Sequence, residues 1–116
     1  MDGKTPLLAS ANIKELRELA WVGDAVLALY ARQWILKSEY RAEGIRARIF
    51  SRMTSNQFLS SVGEPTRVEA EIAYVYQTQG MEKTFEHIES NLLPVFKKQM
   101  TKLKKQNPGK KLEEIL

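Results

Sequence analysis

The chain has no cysteine and a single histidine. The first absence excludes disulfides, thiolate catalysis and a Cys-ligated zinc site, and it fits a cytoplasmic setting; the second excludes a His-rich metal centre. Long apolar runs are missing too. Asp24 and Arg32 interrupt the best candidate, so no membrane span of about eighteen residues is expected, and "MDGKTPLLASAN" lacks the basic-then-apolar order of a signal peptide. Strand-type alternation and internal repeats are also lacking. The only compositionally biased segment is a lysine-rich one near the C-terminus.

What is present is an ordinary globular composition, 43% hydrophobic and 28% charged over 116 residues, enough for one domain with a single modest core. The net charge of +4 is unevenly placed. Residues 1–96 are near neutral at net −1, whereas residues 97–116 carry seven lysines and two glutamates. A second basic region holds Arg32, Lys37, Arg41, Arg46, Arg48 and Arg52. Two basic segments on a neutral body suit a polyanionic partner, although solvated helix faces would produce the same pattern.

Apolar spacing is helical throughout, which predicts an all-α domain of about four main helices. Asn12, with Glu15 three residues later, is placed to cap a helix running to about Leu36. A link near "SEYRAEG" leads to a helix from about Ile45 to Leu59. "SSVGEP" breaks the chain, and Pro65 suits the first turn of a helix that runs to about Thr78 and stops at Gly80. A last long helix from Met81 reaches into the lysines before "NPG". The expected organisation is a helical domain over residues 1–96 and a lysine-rich helix end and tail over 97–116.

Two acids sit where such helices should be apolar. In "LAWVGDAVLALYARQWIL" (residues 19–36), steps of about 100° per residue place Asp24 between Ala20, Ala31 and Ile35, hence at least partly buried, with Arg17 as the only local counter-charge. In "PTRVEAEIAYVYQTQG", Glu71 falls on the polar face, whereas Glu69 lies with Ile72, Ala73 and Tyr76 and faces inward. A buried carboxylate costs several kcal/mol unless it is paired, protonated or bound to a cation. If the two helices pack together, a divalent cation between Asp24 and Glu69 would offset their repulsion, and an oxygen-only site suits Mg²⁺. The alternative is structural: Asp24 paired with an arginine, and Glu69 bonded to backbone or to Tyr30. Gly23 lowers helix propensity by about 1 kcal/mol relative to alanine, which points to a close helix approach at that residue.

These segments resemble the ribonuclease III family. "LRELAWVGDAVLALYARQWIL" resembles its signature helix, with a Gly-Asp pair followed by Ala-Val; "TRVEAEIAYVYQTQG" resembles its second acidic helix, and "IRARIFSRMTSNQFL" the helix between. The resemblance covers about residues 13–96. It implies an all-helical homodimer that cleaves double-stranded or structured RNA, with Asp24 and Glu69 as the catalytic, metal-binding acids and Mg²⁺ as the cofactor, Mn²⁺ substituting. The full-length enzymes carry two further acids where this chain has Ala20 and Thr66. The compact Mini-ribonuclease III type lacks them, along with a separate double-stranded-RNA-binding domain, and is the nearer pattern; ribosomal RNA precursors are then a candidate substrate. Unlike that type, this chain nearly closes the gap between the middle and second acidic helices with "VGEP".

Candidate RNA contacts are Arg46, Arg48 and Arg52, spread round their helix, and Lys97, Lys98, Lys102, Lys104 and Lys105 in "FKKQMTKLKKQNPGKK". His87, between Glu86 and Glu89, is expected to be exposed. Trp21, Trp34, Tyr30, Tyr74, Tyr76, Phe58, Phe85 and Phe96 are expected in the core or on a dimer surface. Two rival functions stand beside the nuclease: a non-catalytic module of the same fold that binds RNA or a ribosomal particle, and a helical protein-interaction domain.

Overall fold

The computed structural model describes Leu8 and residues 10–116, and among them there is helix and no strand. Seven helices follow residue 12: α1 (Ile13–Leu36), α2 (Glu43–Met53), α3 (Asn56–Leu59), α4 (Pro65–Gln79), α5 (Met81–Asn91), α6 (Leu93–Gln106) and α7 (Leu112–Ile115).

The capping signals act as the sequence suggests. The Asn12 side chain accepts from the Glu15 N–H at 2.9 Å and starts α1, a helix of 24 residues. Pro65 opens α4, and Gly80, at φ 89°, closes it in a conformation that favours glycine. Two expected helices are each broken in two. The expected helix from Ile45 to Leu59 ends at Met53, because the Thr54 hydroxyl donates back to the Phe50 carbonyl and the Ser55 hydroxyl accepts from the Phe58 N–H to start α3. The expected long helix from Met81 breaks at Leu92, since Pro94 has no N–H with which to continue the ladder. Each break lets the next apolar face turn independently onto the core.

The most extensive helix contact is between α1 and α4. Small residues line it: Ala20 and Gly23 of α1 are buried, as are Ala70 and Ala73 of α4. At its centre the backbones nearly touch. A Cβ built on Gly23 would collide with the Glu69 carbonyl oxygen and stand 2.6 Å from its carbon. This close crossing is the reason for the glycine ahead of Asp24. The main core lies toward the other end of α1. There Phe96 of α6 meets Trp34 edge-on at 6.1 Å and Phe58 at 5.4 Å, joining α6 to α1 and α3. α7 returns to α2, where Arg48 Nη1 donates to the Glu113 carbonyl at 2.8 Å.

Candidate functional site

The α1–α4 crossing brings Asp24 and Glu69 together. Asp24 is exposed, contrary to the partial burial expected from its helical position, and Glu69 is half-buried. The difference follows from the angle at which α4 crosses. With α4 seated over Gly23, Asp24 falls at the rim of the seam, between buried Ala20 and exposed Trp21, while Glu69 lies in the seam itself. Arg17 forms no ion pair with Asp24 among the described residues. Glu71 is likewise half-buried rather than turned wholly to water.

Burial, then a side-chain hydrogen bond with Asp24 and its negative charge, then the charge of Glu64, push Glu69 up from 4.5 to about 7. Glu64 is the residue that the sequence reading missed. Its carboxylate caps α4 by accepting from Thr66 N–H at 3.0 Å and Arg67 N–H at 3.1 Å. A glutamate directly before a helix-opening proline is the signal that could have located it. These caps use Glu64 at the helix start, and no group of three or more His, Cys, Asp and Glu suited to a metal occurs among the described residues. The pair is therefore a two-carboxylate site, brought close by backbone packing and without an ion pair to a basic group among the described residues.

The Tyr30 hydroxyl does not reach Glu69. It is buried without a hydrogen-bond partner, and burial, followed by the nearby charge of Glu89, raises its pKa. His87 is half-buried rather than exposed, and burial lowers its pKa; its Nδ1 lies 3.2 Å from the Asn91 amide nitrogen. Neither residue joins the acidic pair.

The expected RNA contacts do not form one patch. Arg46 is exposed, 3.9 Å from Glu43, and Arg48 is engaged with α7. Arg52 is half-buried against α3 and α6. On α6, Lys97, Lys98, Lys102 and Lys105 are exposed. Lys104 is exposed too but is engaged, with its ammonium 3.2 Å from Glu39 and 5.1 Å from the centre of the Tyr40 ring. Contact with Tyr40 first, and with Glu39 next, raises its pKa. Lys104 therefore ties the α1–α2 link to α6. Trp34, beside this group, is ten residues beyond Asp24 on α1, which separates the lysines from the acids by about 15 Å of helix rise.

Two aromatics stand apart, Tyr76 at 39% exposure and, more so, Trp21. Trp21 is 82% exposed, while Trp34, Tyr30, Phe58 and Phe96 pack inside as expected. Leu29 and Leu36 are exposed on the same side of α1, and Leu19, Val22 and Gln77 line a groove of about 520 Å³ beside Trp21. Glu15 and Glu18 line the same groove, so its apolar floor has an acidic rim. No helix of the described residues is long and apolar enough to cross a membrane.

No known protein family, curated protein or solved structure matches the chain.

Proposed function

We propose that the protein is a Mg²⁺-dependent endoribonuclease of the ribonuclease III type, closest to the compact Mini-ribonuclease III, acting as a homodimer on double-stranded or structured RNA. The observation that carries this reading is the Gly23 crossing, which presses the backbone of Glu69 against α1 and keeps its carboxylate beside Asp24 at a cost in charge repulsion. A fold needs no such pair. The donor set suits Mg²⁺, which typically takes one or two carboxylates and keeps its waters, and a cation there would offset the burial of Glu69 and the neighbouring charges of Asp24 and Glu64, which together raise it.

Asp24 and Glu69 would hold that ion, with Asp24 at the solvent edge meeting substrate and Glu69 set behind it. When bound, Mg²⁺ activates water for attack and offsets charge gathering on the scissile phosphate. Ribosomal RNA precursors are a candidate substrate. The exposed Trp21 and the groove beside it support the homodimer, because they offer a second copy apolar surface on α1.

The absence of a third ligand among the described residues favours one alternative, an RNA-binding module of the same fold without turnover. The test incubates a labelled RNA duplex with the protein in Mg²⁺ or EDTA, alongside Asp24→Asn. Cutting is expected in Mg²⁺ only. It should fall by about two to three orders of magnitude in the variant, the scale of a lost metal contact. Binding without cutting would select the alternative, and cutting by Asp24→Asn at the parent rate would overturn the assignment of the acids.

A further inference from the structure

We infer that a polar crevice where the α2–α3 turn meets α6 reads the ribose edge of an RNA backbone and makes the protein distinguish RNA from DNA. The inference rests on the RNA reading above and names a separate contact for it. The crevice, of about 430 Å³, is lined by Ser51 and Arg52 of α2, Gln57 of α3, Ser61 and, from α6, Gln99. Phe58 and Ser55 complete it. No carboxylate lines it, and Arg52 is its only charged group.

Its polar groups are partly arranged in advance. The Gln99 amide nitrogen donates to the Ser61 hydroxyl at 2.9 Å, bridging α6 to the segment that follows α3. That bond leaves the Gln99 carbonyl oxygen as an acceptor and the Ser61 O–H as a donor. The side chains of Ser51, Arg52 and Gln57 make no hydrogen bond or ion pair with other described residues. Lys102, three residues after Gln99 on α6, lies on the same side of that helix and is exposed.

A guanidinium and an ammonium flank a set of neutral hydroxyls and amides. Cations spaced by neutral donors and acceptors match a sugar-phosphate backbone better than an isolated anion. Phosphates would meet Arg52 and Lys102, and the 2′-hydroxyl, at once donor and acceptor, would meet Gln99 and Ser61. Duplex RNA offers these groups across its shallow minor groove, and DNA lacks the hydroxyl. Lysines alone would not discriminate between the two, because they respond only to phosphate charge.

The experiment measures binding of one duplex sequence as RNA, as 2′-O-methyl RNA and as DNA, in EDTA so that no strand is cut. The full chain is compared with Gln99→Leu, Ser61→Ala and Arg52→Gln, each checked for an unchanged circular dichroism spectrum. The parent should favour RNA over both analogues. Gln99→Leu and Ser61→Ala should each weaken RNA binding by about threefold to tenfold, the scale of one hydrogen bond, and leave DNA binding unchanged. Arg52→Gln should weaken all three duplexes and lower the salt slope by about one. Equal parent affinity for RNA and its analogues, or a preference that survives Gln99→Leu and Ser61→Ala, would overturn the inference. Mg²⁺-dependent cutting would be untouched by that result, so failure here is separate from failure of the nuclease reading.

Discussion

The α1–α4 crossing and helix α6 handle charge in opposite ways. At the crossing, Glu69 in a seam of glycine and alanine meets Asp24 at its rim, with no ion pair to a basic group among the described residues. On α6, five lysines share a helix whose other face buries Leu93, Phe96 and Met100, and the charges either face water or, at Lys104, meet Glu39. The lysines can be explained by solubility and anchoring alone. The acids are different, because their repulsion in a partly buried seam weakens the fold unless a proton held on Glu69 or a bound cation relieves it. A site whose charges oppose folding is a better functional marker than one whose charges are indifferent to it.

Gly23→Ala tests the largest difference between the two regions. Alanine would gain about 1 kcal/mol of helix propensity, but its methyl meets the backbone of Glu69, which cannot rotate away as a side chain would. A net loss of about 2 kcal/mol is expected, or roughly 10 °C in Tm for a domain of this size. Thermal unfolding reads it, and an unchanged Tm would mean that the helices do not cross there.

Glu69→Gln should act in the opposite direction. In the folded chain Glu69 titrates at about 7 against an ordinary 4.5, so the folded state holds the extra proton between these values. Its contribution to stability is therefore full below pH 4.5 and is lost as pH rises to about 7. The variant escapes that loss. It should be more stable than the parent at pH 8 by about 1 kcal/mol, after allowing for solvent screening of a half-exposed group, and equal to it near pH 4. Urea titrations at the two pH values decide the matter; a variant that is weaker at pH 8 would make the pair a structural one.

The smallest effect is expected on α6. Replacing Lys97, Lys98, Lys102 and Lys105 together by glutamine should move the urea midpoint by less than about 0.5 kcal/mol equivalent, because each is exposed and none forms an ion pair among the described residues. A loss near 2 kcal/mol would remove the contrast between the regions.

Much of this was legible in the sequence, for physical reasons specific to each residue. Asn12, Pro65 and Gly80 mark helix ends through local chemistry, and local chemistry survives folding unchanged. Gly23 signalled a close approach because nothing else justifies glycine within an apolar helix. The misplaced features depend on the third dimension. Asp24 was placed inward because a helical wheel gives directions round an axis but not the angle at which a neighbour crosses it. The breaks at Thr54 and Leu92 were missed because apolar spacing continues through them, while hydroxyl back-bonding and Pro94 decide the backbone. Trp21 reads as core by composition, and only the packing of α4 on the opposite side of α1 leaves it outside. The Gln99–Ser61 bridge joins residues 38 apart with no shared period, so no pattern along the chain could reveal it.

The glycine at the crossing has a consequence for titration. With the carbonyl of Glu69 seated against Gly23, α4 cannot slide or lift without losing its closest contact, so the spacing of the two main chains that carry Asp24 and Glu69 is fixed at the crossing. That spacing keeps the Glu69 side chain half-buried and beside Asp24. A residue with no side chain and no ionisable atom thus acts as the gauge for a proton affinity, and any change that widens the crossing would return Glu69 toward the behaviour of an ordinary surface glutamate.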